Sequence, residues 1–350
     1  MTTLRAPAAA LTRFVVASRY MPVYLAIVLL VIVASIWAPA ALSNVALSAI
    51  APYGALLGIT ALGQMLVVMT GGIDLSTPAT LTLAAAIMVG VGQGDDGRIG
   101  IAILTAVGVA ALIGLVNGIL IGGIRLNALI VTLAVGQVVA GVVNRYGRTF
   151  PVQSQVPRGW STWTLTRIFG MSPVFWVGVV ITLLLVLVFR YTALGRRFQV
   201  VGANPVASEV VGVRVKLNQI LVYVAAAVLY AIAGVAFAGL IRTPGVALAN
   251  QYLLGPIAAV VIGGAALTGG LASPLSTLAA AFFLTGLNQM MLTLGLPTAL
   301  QFVVFGLVII GGMLVSGDRI IKVVERVLRE RRRPGRASTR ETTSSIDGKG

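Results

Sequence analysis

Long apolar runs dominate this chain and restrict it to one kind of fold. Between residues 22 and 316 the sequence is a series of apolar stretches of about 17–25 residues, the length that an α-helix needs to cross a bilayer. The stretches are continuous, and they lack the alternating pattern of about ten residues that marks the strands of a membrane barrel. Only 10% of the residues are charged. The sequence therefore predicts an all-α polytopic membrane protein.

About ten transmembrane helices are expected from these runs. We predict spans at 22–41, 46–70, 78–93, 99–123, 127–143, 173–190, 219–241, 252–269, 274–294 and 297–316. The runs at 46–70 and 252–269 could each contain a broken helix. The permease domain is then 22–316, preceded by a cytoplasmic N-terminal segment at 1–21 and followed by a basic tail at 317–350. The tail is charged and rich in Ser and Thr, which predicts disorder.

The distribution of Lys and Arg predicts the orientation. With ten spans both termini lie on one side, and an N-in/C-in arrangement leaves 19 of the 25 cationic residues inside and six outside. The positive-inside rule selects that arrangement. A net charge of +16 is then explained by cytoplasmic segments beside anionic lipid, and no nucleic acid partner is expected.

Several kinds of chemistry are excluded by the residues that the chain lacks. It has no Cys and no His, so disulfides, Cys-containing zinc sites and His-based catalysis are absent. None of the nine acidic residues falls inside a predicted span, and only Asp74 lies at the edge of one, which makes a poor ion relay. No Walker A sequence occurs either. We therefore expect a transporter that is not an enzyme, has no metal site or bound cofactor, and is driven by a separate motor.

A short soluble helix interrupts the apolar sequence, inside the inner loop 191–218. In GANPVASEVVG, Asn204 is a good N-cap, Pro205 fits the first helical position, and Gly212 fits just past the end. Val206 and Val210 lie four residues apart on one face. Such a helix could dock in a groove of a partner, or it could merely join two spans.

Three stretches resemble one family of permeases. In chain order they are GGIDLS at 71–76, GRRFQVVGANPVASEVVGVRV with the span after it, and VIGGAALTGGLASPLSTLAAAFFLTGLNQMM. This is also their order in the family. The sequence is similar to the permease subunits of simple-sugar ABC importers, of the ribose, xylose, galactose and autoinducer-2 type. The resemblance covers about residues 20–316.

The resemblance implies a bacterial inner-membrane importer with several partners. These would be an ABC ATP-binding subunit that carries ATP and Mg, an extracytoplasmic sugar-binding protein, and a second permease subunit in a homodimer or heterodimer. The helix at 204–211 would insert into a cleft of the ATPase and transmit its closure to the spans. The residues assigned to this coupling are Gly202, Asn204, Pro205, Val206, Glu209, Val210 and Gly212.

The GGIDLS sequence, here called the signature loop, has two interpretations. Gly71 and Gly72 permit positive φ or close helix approach, and Asp74 or Ser76 can cap the span that starts near Pro78. The loop is then a tight packing site, or it is a gate element near the transport path, and both can hold.

A path for a neutral sugar needs amides and hydroxyls within the spans. The candidates are Gln64, Asn117, Gln137, Asn288, Gln289 and Gln301, with Thr105, Thr132 and Thr293. Hydrogen bonding between helices is the alternative role for each of them.

The outer loop 144–172 departs from the positive-inside rule. It carries Arg145, Arg148, Arg158 and Arg167 and no acidic residue. The arginines could anchor the chain to lipid, or could contact carboxylates on a sugar-loaded binding protein, and we hypothesise the second for Arg145, Arg148 and Arg158. Trp160, Trp163 and Phe169 are expected at the membrane interface.

Two rival functions are retained. A permease for branched-chain amino acids would have the same architecture. A secondary carrier that uses Asp74 belongs to a different transport class, and the lack of charge inside the spans disfavours it.

Overall fold

The computed structural model describes residues 20–147, 155–242 and 252–316, and it is helical with no strand among these residues. The predicted N-terminal segment, apart from its last two residues, Arg148 and the tail at 317–350 lie outside this part of the chain.

Thirteen α-helices form the described chain. They are α1 (Met21–Trp37), α2 (Asn44–Met69), α3 (Thr77–Gly92), α4 (Ile99–Gly118), α5 (Ala128–Gly147), α6 (Arg158–Leu165), α7 (Pro173–Tyr191), α8 (Ala193–Ala203), α9 (Pro205–Val210), α10 (Val215–Ile241), α11 (Leu254–Ile262), α12 (Pro274–Thr293) and α13 (Thr298–Ser316). A π-helical turn, Ile119–Gly123, continues α4.

Six segments are long and apolar enough to cross a membrane. They are α2, α5, α7, α10, α12 and Asp96–Gly123, which contains α4. Three shorter apolar helices, Met21–Trp37, Thr77–Gly92 and Thr298–Gly312, match further predicted spans. Prolines begin α7 and α12, where the missing N–H group removes no helical hydrogen bond.

The predicted span at 252–269 is wrong in length. Helix α11 has nine residues, which is roughly 14 Å, whereas the hydrocarbon core of a bilayer is about 30 Å thick. It ends at Gly263, and Gly264 adopts a φ of 83°, so the two glycines turn the chain out of the helix. The sequence allows for a broken helix in the runs at 46–70 and 252–269. The second run is interrupted at Gly263, whereas α2 continues through Pro52 without a break.

Helix α10 is the centre of the bundle and contributes to both hydrophobic clusters of the core. A stripe of small residues on α4 and the π-helical turn packs on it at four-residue intervals: Ala102, Ala106, Ala110, Gly114, Gly118 and Gly122 are all buried. At Gly114 a Cβ atom would stand 2.5 Å from the backbone oxygen of Tyr223. Small side chains therefore allow the two backbones to approach closely, as is typical of membrane helix pairs.

Helix α10 also defines the two ends of the bundle. Near its start, Gln219 and Tyr223 line a cavity beside α9. Near its other end, the indole N–H of Trp160 in α6 donates to the carbonyl oxygen of Val235 at 2.9 Å. We call the first the coupling end and the second the far end.

Candidate functional site

Three chain segments meet backbone against backbone at the coupling end. They are the last residue of α2, the end of α8, and the turn that follows α11. The N–H of Gly270 donates to the carbonyl oxygen of Met69 at 2.8 Å. A Cβ atom on Gly202 would overlap that same oxygen, and one on Gly269 would lie 2.5 Å from the carbonyl oxygen of Gly202. We call Met69, Gly202, Gly269 and Gly270 the glycine junction.

The junction brings together the three sequence stretches that carry the family resemblance. Met69 lies two residues before the signature loop, Gly202 belongs to the coupling loop, and Gly269 and Gly270 belong to the third stretch. Gly269 and Gly270 have φ values of 96° and 89°, a backbone region that favours glycine. The contact therefore requires glycine in two of the three segments, at Gly202, Gly269 and Gly270, whereas Met69 contributes only its backbone oxygen.

Helix α9 has the caps that the sequence predicts. The side-chain oxygen of Asn204 accepts a hydrogen bond from the N–H of Ala207 at 3.0 Å, Pro205 is the first helical residue, and Gly212 follows the end with a φ of 81°. The hydroxyl of Ser208 is buried and donates to the carbonyl oxygens of Val200 and Asn204. These bonds hold α9 on the preceding helix α8.

The loop 191–218 contains two helices, whereas the sequence predicts only the second of them. Helix α8, which that prediction missed, occupies its first half and leads directly into α9. The local signal for it is Thr192, whose side chain accepts from the N–H of Gly195 at the start of α8.

An apolar surface is exposed on α9. The exposed fraction is 73% for Val206 and 83% for Val210, and Val211 beside them is equally open. The predicted spacing of the two valines thus gives a face that no described part of the chain covers. Exposed apolar groups at the tip of an ordered, capped helix are typical of a docking surface.

An ion pair connects α9 to the segment between α4 and α5. The guanidinium group of Arg125 donates to the carboxylate of Glu209 at 3.0 Å, and both side chains are about half exposed or more. Arg125 itself has a φ of 68°. From the sequence alone Arg125 is only one of the cationic residues expected inside, because its partner lies 84 positions away.

A cavity of about 360 Å³ lies behind this ion pair. Its walls come from the signature loop, from α9 and from the first turns of α10. They include Gly71, Gly72, Arg125, Glu209, Gln219 and Tyr223. The hydroxyl of Tyr223 is buried and has no hydrogen-bond partner among the described residues. The cavity leaves space between α9 and the bundle.

The signature loop is held by a buried polar network. One carboxylate oxygen of Asp74 accepts from the backbone N–H of Ser76 at 2.8 Å and from its hydroxyl at 2.6 Å. The amide of Asn117 donates to the same hydroxyl at 3.0 Å. The hydroxyl of Thr132 in α5 accepts from the N–H of Leu75 at 2.9 Å. Helices α4 and α5 therefore both fix this loop.

The predicted cap by Asp74 or Ser76 is wrong. Ser76 occupies the N-cap position of α3, but its side chain makes no capping bond because its hydroxyl is bonded to Asp74. Asp74 instead closes a turn onto Ser76. The glycine predictions fit the loop better: Gly71 has a φ of 81°, and a Cβ atom on Gly72 would lie 2.5 Å from the hydroxyl oxygen of Tyr223.

Gln64 pairs with the backbone of Asp74. With its side-chain amide flipped so that both polar atoms are satisfied, its nitrogen donates to the carbonyl oxygen of Asp74 and its oxygen accepts from the N–H of Asp74, both at 3.1 Å. Asp74 is 2% exposed, and burial raises the pKa of its carboxyl group to about 6, although the bonds from Ser76 act in the other direction. The loop thus contains a carboxyl group whose pKa lies above the ordinary value for Asp.

The predicted path residues are in different environments. Gln64 and Asn117 are buried in the network around the signature loop, whereas Gln137 and Asn288 are exposed and Gln289 is half-buried. Gln301 donates to the carbonyl oxygen of Leu296. The hydroxyls of Thr105 and Thr293 donate to carbonyl oxygens of their own helices. Their role in a sugar path stays a prediction.

The far end contains the predicted outer loop, part of which is helix α6. Arg145 and Arg158 are exposed and make no ion pair with another described residue. Trp160 stacks on Trp163 with ring centroids 4.8 Å apart. The indole ring of Trp160 reaches α10, and this contact makes the side chain half-buried. Phe169 is 91% exposed. Docking of a binding protein here stays a prediction.

Comparison with known proteins gives a consistent set of relatives. The profile of the family described as the branched-chain amino acid transport system permease component matches residues 46–313. The ribose import permease protein RbsC of Escherichia coli is 30% identical over 266 residues, which cover 75% of this chain and 82% of the relative. No solved structure matches.

Two further relatives are also permease proteins of transport systems. The galactofuranose transporter permease protein YtfT of Escherichia coli is 32% identical over 77% of this chain and 79% of its own length. The autoinducer 2 import system permease protein LsrC of an Enterobacter species is 29% identical over 86% of this chain and 87% of its own length.

Proposed function

This chain belongs to the family of branched-chain amino acid transport system permease components, and we propose that it is the membrane subunit of an ATP-driven importer of a monosaccharide or related small polyol. Assignment to the simple-sugar permeases rests on the relatives that import ribose, galactofuranose and autoinducer 2. The chain is a multi-pass protein of the bacterial inner membrane, and it is a transport subunit rather than an enzyme in itself.

Energy would come from a separate ATPase through α9. The observation that carries this proposal is the combination of an exposed apolar face on α9 with the glycine junction beneath α8. The face offers a partner a contact on Val206 and Val210. Helices α8 and α9, here called the coupling hairpin, are joined by the junction to the end of α2 and to the turn after α11. A displacement of α9 would therefore be transmitted to the end of α2 and to the turn after α11, because closely packed backbone segments have little room to deform.

The transport cycle would be alternating access. A binding protein would deliver the sugar at the far end, ATP would close two motor subunits against two copies of α9, and the bundle would release the sugar at the coupling end. ATP and Mg would be bound by the partner, with no cofactor on this chain. The cavity behind α9 gives the helix space to move toward the signature loop. This scheme sets the coupling end in the cytoplasm, in agreement with the N-in/C-in orientation predicted from the cationic residues.

Capture of the motor subunit tests the proposal. We would purify the tagged chain gently from native membranes and identify by mass spectrometry the proteins that accompany it. Val206→Asp with Val210→Asp removes the apolar face but leaves the Asn204 cap and the Glu209 ion pair in place. The matched control is Leu165→Asp with Ile168→Asp, which likewise replaces two exposed apolar side chains by Asp but at the far end.

We expect a P-loop ATPase with the unaltered chain and with the control, and its loss with the α9 variant. A chain that purifies alone and moves solute in liposomes without ATP would overturn the proposal. In that case Asp74→Asn is the next variant, since a carrier driven by protons through Asp74 would lose coupled uptake.

The family description itself favours one alternative, a permease for branched-chain amino acids. Competition for uptake separates the two substrates. An importer of a sugar is inhibited by excess ribose or another monosaccharide and is indifferent to excess leucine, whereas the opposite result would support the alternative.

A further inference from the structure

The cavity behind the ion pair of Arg125 and Glu209 is large enough to hold a small molecule. Its volume is about 360 Å³, and ligand pockets in proteins measure roughly 300–1,000 Å³. The cavity lies within a single chain, between α9 and the signature loop, and none of the predicted path residues lines it. It is therefore a place for a ligand apart from the predicted sugar path.

The wall of this cavity carries hydrogen-bonding groups of both kinds. The amide of Gln219 is half-buried and makes no hydrogen bond with another described residue. The hydroxyl of Thr70 donates to the carbonyl oxygen of Val67 at 2.8 Å, which leaves its oxygen as an acceptor. The guanidinium group of Arg125 has further N–H groups besides the one given to Glu209. A ligand that fits this wall both donates and accepts.

The lining residues carry no net charge. Arg125 and Glu209 are the only Lys, Arg, Asp or Glu among the described residues that line the cavity, and their charged groups lie 3.0 Å apart. An anion such as phosphate would compete with Glu209 for the guanidinium group, and an ammonium group would compete with Arg125 for the carboxylate. A neutral ligand can bind without breaking the ion pair.

Apolar side chains complete the wall. They belong to Ile121, Leu126, Pro205 and Val215, and they suit the C–H groups of a ligand. A hydroxyl group is both a donor and an acceptor, so several hydroxyls on a small carbon frame match the polar and the apolar parts together.

The backbone beside the cavity departs from a regular helix. The π-helical turn Ile119–Gly123 ends two residues before Arg125, which has a φ of 68°. A positive φ is uncommon for a residue with a side chain, and π-helical turns are frequent at functional sites. A Cβ atom on Gly122 would lie 2.8 Å from the Cβ atom of Gln219, so this turn packs tightly against the wall. The irregular backbone therefore holds two of the polar wall residues in place.

We propose that the cavity binds a small neutral molecule with several hydroxyl groups, the chemical class of the imported sugar itself. This inference rests on the proposed function for the identity of the ligand and for the cytoplasmic side of the coupling end. A ligand that enters from that side is the product of import. Bound between α9 and the signature loop, it occupies the space into which α9 moves, so accumulated product slows further import.

Protection of a single cysteine measures binding, since the natural chain contains none. We would introduce Leu126→Cys, at a cavity residue that is 47% exposed, and follow the reaction of the purified full chain with a water-soluble maleimide. Val211→Cys, which is 72% exposed and lies outside the cavity, is the control. We expect ribose or galactose to slow the reaction of Leu126→Cys several-fold and to leave that of Val211→Cys unchanged. Inorganic phosphate and leucine, which are charged, should have no effect on either.

Gln219→Leu removes one amide of the wall and nearly keeps the size of the side chain. Combined with Leu126→Cys, it should raise the sugar concentration needed for half protection about fivefold, the usual effect of one hydrogen bond. The matched control is Gln199→Leu, the same change in α8 at a residue that does not line the cavity, and it should leave that concentration unchanged. Thermal unfolding in detergent identifies folded variants, and Thr70→Val makes the same comparison at another element of the wall.

The effect on transport is measured in right-side-out membrane vesicles that contain ATP. Unlabelled ribose or galactose inside the vesicles should lower the initial rate of ATP-dependent uptake of labelled sugar. With Gln219→Leu, more internal sugar should be needed for the same inhibition.

Four results would overturn the proposal. They are equal protection of Leu126→Cys and Val211→Cys, no protection by either sugar, protection by phosphate or leucine instead of sugar, and uptake that ignores internal sugar although the cysteine is protected. Protection is measured without the ATPase and is independent of ATPase capture, so the two proposals can fail separately.

Discussion

At the scale of single residues, this protein uses the absence of a side chain as a structural element. Gly202 allows the end of α8 to contact the last carbonyl group of α2, and Gly270 donates to that carbonyl group from a third segment. One backbone oxygen of Met69 is thus shared by segments that are far apart in the sequence. The exposed face of α9 depends on this contact for its position.

A methyl group at the junction should therefore have a large effect. We expect Gly202→Ala to lower the free energy of unfolding by about 1–3 kcal/mol, the usual cost of overpacking, since backbone cannot move aside as a side chain can. Capture of the ATPase should fall although Val206 and Val210 are unchanged. Thermal unfolding in detergent and co-purification measure the two effects.

Gly108→Ala is the matched control for that change. Gly108 is exposed in α4, and no described atom lies within 4 Å of its Cβ position. The same substitution should there leave stability unchanged or raise it by up to about 1 kcal/mol through helix propensity. Equal behaviour of the two variants would contradict the close contact at Gly202.

Asp74 gives a prediction with a defined sign. Its pKa in the folded protein, about 6, lies above the ordinary value of 3.8, so the folded state binds the proton more tightly than the unfolded state. The stabilisation by the bound proton is complete below pH 4 and is lost as the pH rises through 6, and it amounts to about 3 kcal/mol.

The Asp74→Asn variant isolates this effect. Asn keeps a side-chain oxygen for the N–H of Ser76 but does not titrate. As the pH rises from about 4 to about 7, we expect the melting temperature of the unaltered protein to fall relative to that of the variant. Parallel melting curves across that range would show that Asp74 has an ordinary pKa.

At the scale of elements, the coupling hairpin separates what a sequence can predict from what it cannot. Asn204, Pro205 and Gly212 act on their own helix, so the start and end of α9 could be read locally. The junction at Gly202 and the partner of Glu209 depend on segments distant in the chain. Helix α11 was overestimated because apolar residues continue past Gly263, where backbone conformation and not hydropathy ends the helix.

The ion pair between Arg125 and Glu209 should matter for movement and little for stability. Both side chains are largely in solvent, so removal of the pair by Arg125→Ala should change the free energy of unfolding by less than about 1 kcal/mol. Because the pair spans the cavity between α9 and the α4–α5 connection, we expect altered ATP-dependent uptake at unchanged melting temperature. The exchanged pair Arg125→Glu with Glu209→Arg should restore uptake. If the exchange is no better than the single change, the pair does not link these elements.

At the scale of the whole molecule, α7 connects the two functional ends. It has 19 residues, most of them apolar, which is enough to cross the hydrocarbon core, and it follows the far end directly and precedes the coupling hairpin. Phe169 before it and Val211 after it, which are 91% and 72% exposed, must then lie on opposite sides of the membrane. The excess of Lys and Arg around the coupling hairpin predicts that this side is cytoplasmic.

Single cysteines at these two positions can test the orientation, since the natural chain contains none. In intact spheroplasts a membrane-impermeant maleimide should label Phe169→Cys and leave Val211→Cys unlabelled. In inverted vesicles the pattern should reverse, because each surface is then on the other side. Labelling of both positions from one side would show that α7 does not cross the membrane. Labelling of Val211→Cys from outside would invert the molecule, and α9 could then not meet an ATPase in the cytoplasm.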